Sequence, residues 1–216
     1  MRNNTVSISL TLQSYFLSIL FVSFSSFSFA ASKDVIDRDF WGMLYKNGGE
    51  TFYCNKPFKK KGPLISESYI YSSTWIREYL DCGTKRQCKK NNPDYNKIIS
   101  DLHNIVPSDA YFEFKRKNSM YGTLDKTVEP NECGIRKKHH ILEPADHLKG
   151  DIARILMYMH TRYHLPLNTS LSLLKFWNDN DMPDSKEKKR NKAIKAIQGN
   201  GNPYIEDTLL IDTIKR

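Results

Sequence analysis

The chain lacks the closely spaced cysteine pairs that hold structural zinc. Its four cysteines are Cys54, Cys82, Cys88 and Cys133, and their spacing does not form CxxC or Cys/His ligand pairs. No histidine precedes His103, so the N-terminal part of the chain cannot supply an imidazole for acid–base chemistry. An uninterrupted apolar run of roughly 20 residues, the length that spans a bilayer, is also missing. A permanent membrane anchor is therefore the weaker interpretation of the apolar N-terminus.

Residues 1–30 have the composition of a secretory signal peptide. Arg2 is followed by an apolar, serine-rich run and then by small residues at Ala30 and Ala31. Small residues after such a run are typical of a signal-peptide cleavage site. The sequence therefore predicts cleavage after Ala30, a mature chain of residues 31–216, and a protein that is secreted or periplasmic.

Export makes disulfide bonds the natural interpretation of the cysteines, because exported proteins fold under oxidising conditions. Four cysteines allow three pairings, and the sequence alone does not choose among them. The preferred pairing joins Cys82 to Cys88, which closes the short CGTKRQC loop, and Cys54 to Cys133. The other two pairings stay open, and no free thiol is expected.

The charge balance is basic, with 33 Lys and Arg residues against 24 Asp and Glu and a formal net charge of +9. Lys and Arg side chains gain affinity for a dense polyanion by releasing its counterions. Nucleic acid, anionic lipid and polyanionic cell-wall polymers all fit this charge. A lysine-rich surface that only keeps the protein soluble fits it equally well, so charge alone does not identify a partner.

Apolar periodicity predicts a mostly α-helical domain with a small β element. Helices are predicted at 34–47, 95–104, 145–164, 168–180 and 184–197, and β structure at 50–54 and 66–75. Residues 111–138 show no clear period. Neither a repeat nor a flexible linker divides the sequence, so the α+β class is predicted as a single domain.

Three ordered motifs carry a resemblance to a known family. They are DLHNIVPSDAYFEFKRKN from Asp101, KGDIARILMYMHTRYHL from Lys149 and IQGNGNPYIED from Ile197. Together they resemble the secreted endonuclease I family, from about Phe40 to Asp207. The resemblance implies a ββα-metal (His-Me finger) fold and an exported, monomeric, Mg²⁺-dependent endonuclease that hydrolyses DNA without sequence specificity. RNA is a second candidate substrate.

The resemblance also implies residues that bind metal and phosphate. The interval from His103 to Asn118 matches that between the family's DLHN histidine and its metal-binding asparagine, so Asn118 is the expected ligand of one Mg²⁺ ion. Mg²⁺ keeps several waters and takes few protein oxygens. Arg116 is the candidate that contacts the phosphate, and Lys115 and Lys117 extend the basic cluster. A solvated KRKN turn is the alternative.

The sequence departs from the family at the general base. The expected Glu-His pair falls on Ser68 and Tyr69 when the match is anchored on Trp75 and the cysteines. A neutral tyrosine is a poor base at pH 7, because its ordinary pKa is about 10. Glu67, one position upstream, is a carboxylate that could still reach a metal. His103 is the alternative catalytic base, although the resemblance implies a structural role for it.

Two more features bear on binding and activity. Glu113 stands where the family commonly has asparagine, and its charge either assists a cation or repels DNA. The basic helix KEKKRNKAIKAIQ predicts phosphate contacts through Lys189 and Arg190 without base readout, whereas a solvated surface helix explains the same charge. A nuclease is the leading prediction. The alternative is a catalytically impaired family member that binds nucleic acid or another polyanion.

Overall fold

The computed structural model describes residues 32–215, so the predicted signal peptide at residues 1–30 lies outside the described residues. The helices are α1 (Ser32–Val35), α2 (Ser73–Tyr79), α3 (Lys85–Asn91), α4 (Pro93–Ile99), α5 (Ala110–Arg116), α6 (Asp146–Tyr163), α7 (Leu171–Asn180), α8 (Ser185–Gln198) and α9 (Pro203–Glu206). A π-helical segment, Ile36–Leu44, continues α1, and 3-10 turns cover Leu102–Asn104 and Thr208–Thr213. Within residues 32–215, every helix is too short or too polar to cross a bilayer.

Short strands accompany the helices. They are β1 (Gly49–Glu50), β2 (Pro57–Phe58), β3 (Ile65–Tyr69), β4 (Ile105–Asp109), β5 (Met120–Tyr121), β6 (Arg136–Lys138) and β7 (Ile141–Glu143). β1 pairs with β2 and β3 pairs with β4, both antiparallel, whereas β7 lies between parallel β5 and antiparallel β6. The α+β class predicted from the sequence is confirmed.

Helix α6 forms the centre of the main core. The predicted apolar stripe is buried along it: Leu148, Ile152, Ile155, Leu156 and Met159. Helix α7 packs beside α6 and buries Leu174 and Trp177. A Cβ atom at Gly150 would collide with the carbonyl oxygen of Asp181, so glycine permits the close approach of these two segments.

A buried guanidinium ties α6 to α8. Arg154 is completely buried and donates to both carboxylate oxygens of Glu187, at 2.8 and 2.6 Å. It also donates to Asp151, three residues earlier on α6, at 3.0 Å and to the carbonyl oxygen of Asp181 at 2.7 Å. The Asn202 amide donates to the carbonyl oxygen of Arg154 at 3.1 Å. Two of the three family motifs therefore meet in one structural network.

Several predicted elements differ from those in the structure. The helix predicted at 95–104 is interrupted: α4 ends at Ile99, and Leu102–Asn104 forms a separate 3-10 turn. Residues 52–54 form a turn, so the strand predicted at 50–54 is wrong beyond Glu50. The β structure predicted at 66–75 ends at Tyr69, because Ser72 caps α2 by accepting the Thr74 amide at 3.2 Å. Helix α7 begins after Ser170, whose hydroxyl accepts an amide of the first turn at 3.2 Å, and the predicted start at residue 168 is too early.

All four cysteines form disulfide bonds, in the preferred pairing of Cys54 with Cys133 and Cys82 with Cys88. The first bond joins positions 79 residues apart and links the turn after β1 to the loop before β6. The second ties the end of α2 to α3. The absence of free thiols, predicted from the sequence, is confirmed.

Candidate active site

A pocket of about 330 Å³ lies between the end of β3, the start of α2 and the end of α5. Its walls are formed by Tyr69, Ser72, Ser73, Thr74, Glu113, Arg116, Lys117 and Asn118. The pocket joins Tyr69, at the position expected for the base, with Arg116 and Asn118, the residues expected to bind phosphate and metal. The β3–β4 pairing brings these distant parts of the chain together.

Strand β3 determines which side chains reach the pocket. In its pairing with β4, Tyr69 lies opposite Ile105 and Ser68 lies opposite Val106. Successive strand side chains point to opposite faces, so Tyr69 lines the pocket while Ser68 is completely buried. Within the described residues, the Ser68 hydroxyl has no hydrogen-bond partner. Position 69, and not position 68, therefore borders the pocket.

The C-terminal part of helix α5 and the residues that follow it form the other wall of the pocket. Asp109 caps it by accepting two backbone N–H groups of the first turn, at 2.9 and 3.0 Å. The helix ends at Lys117, whose φ of 52° lies in a region that residues other than glycine rarely adopt. The chain reverses there, and the exposed Asn118 side chain has no partner among residues 32–215. Asn118 therefore lies just past a helix, held by a strained residue of the kind that clusters at functional sites.

The Arg116 guanidinium is buried and bound to protein groups, so it is not available to a substrate phosphate in this structure. The residue is only 2% exposed, and it donates to the two Glu113 carboxylate oxygens at 3.0 and 2.9 Å. It also donates to the carbonyl oxygen of Tyr69 at 2.9 Å and to the Tyr121 hydroxyl at 3.4 Å. The guanidinium thus fixes α5 against β3. Lys117, in contrast, is an exposed cation of the pocket wall.

The Tyr69 phenol is a weak candidate for the general base. Burial raises the pKa of Tyr69 well above its usual range, and the nearby Glu67 carboxylate raises it further. Both causes disfavour the negative phenolate. The phenol therefore stays protonated at neutral pH and cannot take a proton from water.

His103 lies away from the pocket wall. Its buried ring lies 4.7 Å from the Tyr158 ring, and Nε2 is 3.0 Å from the carbonyl oxygen of Asn200. Because a carbonyl only accepts, Nε2 carries the proton, and Nδ1 has no partner in the described chain. The adjacent Asp101 accepts from the Tyr158 and Tyr163 hydroxyls at 2.6 and 2.7 Å. These contacts favour the structural role over the catalytic one.

Protonation of His103 is expected to destabilise the fold as the pH falls. Burial lowers the pKa of His103 from 6.5 to about 4. Between these values the unfolded chain binds a proton that the folded chain does not, so stability decreases as the pH falls below about 6.5, by up to about 3 kcal/mol near pH 4. Urea unfolding at about pH 7.5 and pH 5 should show a smaller pH dependence for His103→Gln than for wild type. An equal dependence in both proteins would contradict this assignment.

Two other predicted contact residues do not line the pocket. Glu67 shares a strand face with Tyr69 but is absent from the pocket wall. The Lys115 ammonium lies 5.3 Å from the centre of the Tyr111 ring, a cation–π contact on the exposed side of α5. Of the KRKN cluster, only Arg116, Lys117 and Asn118 face the pocket.

The two predicted phosphate contacts on the basic helix α8 have different surroundings. Arg190 donates to the carbonyl oxygens of Leu102 and Ile105, at 2.7 and 2.6 Å. Its guanidinium therefore joins α8 to the segment before β4. Lys189 is exposed on the same helix and remains a candidate phosphate contact.

A basic groove that the sequence analysis missed lies on α3. A shallow cavity of about 520 Å³ is lined by Lys85, Arg86, Lys89 and Lys90. The short helix is held by the Cys82–Cys88 bond and by a capping box at its first turn. A run of cations within CGTKRQCKK indicates this groove in the sequence, although only a disulfide was predicted for that segment. Because α3 follows α2, which begins at the pocket, this groove is a candidate surface for a polyanion.

The pocket wall offers hard oxygen donors. They are the Glu113 carboxylate, the Asn118 amide and the hydroxyls of Ser72, Ser73 and Thr74. Mg²⁺ prefers oxygen ligands and is often bound through one or two carboxylates together with substrate phosphate. In the part of the chain that is described, no three His, Cys, Asp or Glu side chains form a cluster. The residues therefore fit an ion that keeps most of its water and is bound both by the protein and by a substrate phosphate.

A small α+β domain with oxygen donors and an exposed lysine in one pocket fits an enzyme that acts on phosphate esters. The family model for Endonuclease I matches residues 36–208. Endonuclease-1 of Buchnera aphidicola subsp. Acyrthosiphon pisum (strain APS) is 34% identical over 75% of this chain and 76% of its own. The periplasmic deoxyribonuclease of Aeromonas hydrophila is 31% identical over 76% and 81%, and an extracellular ribonuclease of Bacillus amyloliquefaciens is 34% identical over 53% and 46%. The chain belongs to the endonuclease I family and is an enzyme of the nuclease class.

Proposed function

We propose that this protein is an exported, monomeric endonuclease that hydrolyses phosphodiester bonds of DNA with one Mg²⁺ ion and without sequence specificity. The observation that carries the proposal is the pocket that joins Tyr69, Lys117 and Asn118 within the segment matched by the family. A relative named as a deoxyribonuclease supports DNA as the substrate, and one named as a ribonuclease makes RNA the second candidate.

The proposed roles follow from exposure and partners. Asn118 binds the ion through its amide oxygen, and Lys117 holds the phosphate. Arg116 keeps α5 and β3 in place. When bound, Mg²⁺ lowers the pKa of a bound water and stabilises the leaving oxygen. The described pocket wall contains no imidazole, so the proton of the attacking water passes to solvent and hydrolysis is expected to be slow.

Export is part of the proposal for two reasons. Residues 1–30 have the composition of a signal peptide, and the two disulfide bonds suit an oxidising compartment. Relatives from Aeromonas hydrophila carry the names periplasmic and extracellular deoxyribonuclease. A secreted or periplasmic location fits all of these.

Cleavage of supercoiled plasmid DNA by the mature protein is expected in Mg²⁺ and not in excess chelator. Asn118→Ala should reduce the rate at least about tenfold, because Mg²⁺ loses one of its few protein ligands. Its fold should persist, since the Asn118 side chain is exposed and makes no hydrogen bond within residues 32–215. Asn47→Ala, at another exposed asparagine, is the matched control. Full activity in chelator would refute the metal dependence, and full activity of Asn118→Ala would remove this residue from the site.

A second candidate function is binding of nucleic acid without efficient cleavage. Two observations favour it: the Arg116 guanidinium is bound to Glu113, and burial raises the pKa of the Tyr69 phenol so that it stays protonated. Retained DNA binding with no hydrolysis in Mg²⁺ or Mn²⁺ would select this function over the nuclease.

Nucleic-acid binding is expected to weaken steeply with salt and to depend little on base sequence, because the contacts are lysine and arginine side chains on phosphates. Two triple alanine variants remove equal charge: Lys85, Arg86 and Lys90 on α3, or Lys188, Lys189 and Lys192 on α8. The α3 variant should reduce the slope of log affinity against log salt by up to about 2 to 3. The α8 variant should reduce it less, because α3 packs against α2, whose first residues line the pocket, whereas the main contacts of α8 are with Ile36–Leu44, Leu102–Asn104 and α9.

Fluorescence anisotropy at several salt concentrations measures both slopes with one labelled oligonucleotide. A larger effect of the α8 variant would place the nucleic-acid interface on α8, the helix predicted from the sequence. A flat wild-type slope would contradict phosphate-based binding altogether.

A further inference from the structure

We infer that Glu113 is a metal ligand of this protein and takes the place of the carboxylate that β3 lacks. The inference rests on the metal dependence proposed above. Ser68 stands at the expected glutamate position and is completely buried, whereas Glu113 stands at an expected asparagine position and lines the pocket. The carboxylate of the site has moved from the strand to helix α5. The carboxylate gained at Glu113 therefore compensates for the carboxylate that is absent at Ser68.

The Glu113 carboxylate lines the same pocket as Asn118 and is held there by Arg116. Arg116 donates from Nε to Oε2 at 3.0 Å and from Nη2 to Oε1 at 2.9 Å. Arg116 is itself held by the Tyr69 carbonyl oxygen and the Tyr121 hydroxyl. Each carboxylate oxygen has two lone-pair sites, so one stays available on each oxygen. Partners that orient a ligand in this way commonly support metal sites.

The charge balance indicates a modest affinity for the free ion. Glu113 and Arg116 cancel each other at close range, and Lys117 adds positive charge to the same pocket wall. The charged residues of the wall, one carboxylate and two cations, therefore have a net positive charge. Phosphate oxygens of a bound nucleic acid supply the missing charge, which agrees with the preference of Mg²⁺ for shared phosphate ligands.

Glu67 is the rival ligand. It lies two residues before Tyr69 on the same strand face, and its carboxylate makes no hydrogen bond among the described residues. It does not line the pocket that holds Asn118. The structure therefore favours Glu113, and the two carboxylates make a matched pair for substitution.

The test measures binding of Mn²⁺, a spectroscopic substitute for Mg²⁺, to the mature disulfide-bonded protein. Electron paramagnetic resonance gives the free Mn²⁺ during titration of wild type, Glu113→Gln, Glu67→Gln and Asn118→Ala. Glu113→Gln and Asn118→Ala should weaken binding at least about tenfold, because even outer partners of a metal site are commonly worth 10- to 100-fold. Glu67→Gln should bind like wild type.

A second measurement removes the dependence on variant folding, since Glu113→Gln also disturbs the buried Arg116. Wild-type protein labelled with ¹³C in glutamate is titrated with Mg²⁺, and the side-chain carboxyl resonances are followed by NMR. The Glu113 resonance should shift with the occupancy of the site and the Glu67 resonance should not. Glu113→Asp, which keeps the charge that Arg116 needs, assigns the resonance.

The outcomes separate this inference from the proposed function. Loss of Mn²⁺ binding in Glu67→Gln, with an unshifted Glu113 resonance, would overturn the role of Glu113 while leaving a metal enzyme. Unchanged binding in folded Glu113→Gln would overturn it as well. Failure of wild type to bind Mn²⁺ or Mg²⁺ at millimolar concentration would overturn both the inference and the proposed metal dependence.

Discussion

Tyr69→His is expected to raise the rate of DNA hydrolysis by about 10²-fold or more, because a positioned general base contributes about 10² to 10⁴ in rate. Position 69 lines the pocket that also holds Asn118 and Lys117. An imidazole has an ordinary pKa near 6.5 and accepts a proton at neutral pH. The Tyr69 phenol cannot, since burial raises its pKa. The initial rate of plasmid nicking in saturating Mg²⁺ measures the difference.

The single substitution is a sharper test than restoring the full Glu-His pair. Ser68→Glu together with Tyr69→His is the change that the sequence alone recommends. In the structure Ser68 is completely buried, so a glutamate there would bury a carboxylate without a cationic partner, which destabilises a fold strongly. Tyr69→His changes a side chain that already borders the pocket.

Two controls locate the base if the expectation fails. Tyr69→Phe removes only the hydroxyl and should leave the slow wild-type rate unchanged. His103→Gln should also keep that rate, because His103 is buried against Asn200 and Tyr158. If wild type cleaves vigorously, Tyr69→His adds nothing and folded His103→Gln is inactive, then His103 is the base and the structural role assigned to it is wrong.

Arg154→Leu is expected to destabilise the protein by about 3 to 5 kcal/mol, the usual cost of removing one partner of a buried ion pair. Arg154 is completely buried, and Glu187, which accepts two of its hydrogen bonds, is only 7% exposed. Without the guanidinium, Glu187 loses two hydrogen bonds in a site that holds little water. Burial and the neighbouring Glu187 carboxylate already raise the pKa of Asp151 to about 8, and loss of Arg154 removes the group that opposes this shift. Urea unfolding at neutral pH measures the change in the free energy of unfolding.

A double substitution shows whether the cost comes from the unpaired charge. Arg154→Leu with Glu187→Leu should recover much of the lost stability, because apolar replacement of a whole buried pair is often neutral or stabilising. Arg38→Leu, at an exposed arginine paired with Asp39, should leave the unfolding midpoint nearly unchanged. A loss in Arg154→Leu as small as that in Arg38→Leu would contradict the importance of the network.

The sequence by itself was sufficient for the features that depend on local pattern. The apolar spacing predicted α6 because a helix core face repeats with the turn of the helix. The three motifs identified the family, and the match over residues 36–208 confirms it. The change at Tyr69 was visible because the motif, Trp75 and the cysteines fix its position in the chain. The pairing Cys54–Cys133 was preferred, although only the structure excluded the alternatives.

Only the tertiary structure decided which charged groups are available for chemistry. Arg116 and Arg190 look like phosphate contacts in the sequence, yet one is closed by Glu113 and the other bonds the carbonyl oxygens of Leu102 and Ile105. The physical reason is that a guanidinium can bind phosphate only with donors that the fold leaves free. Tyr69 also binds Arg116, and Leu102 and Ile105 bind Arg190, from segments distant in the chain. For the same reason, the sequence could not show that Ser68 points into the core while Glu113 and Asn118 share a pocket. Strand alternation and chain reversal at Lys117 fix those directions, and both depend on how β3, β4 and α5 pack.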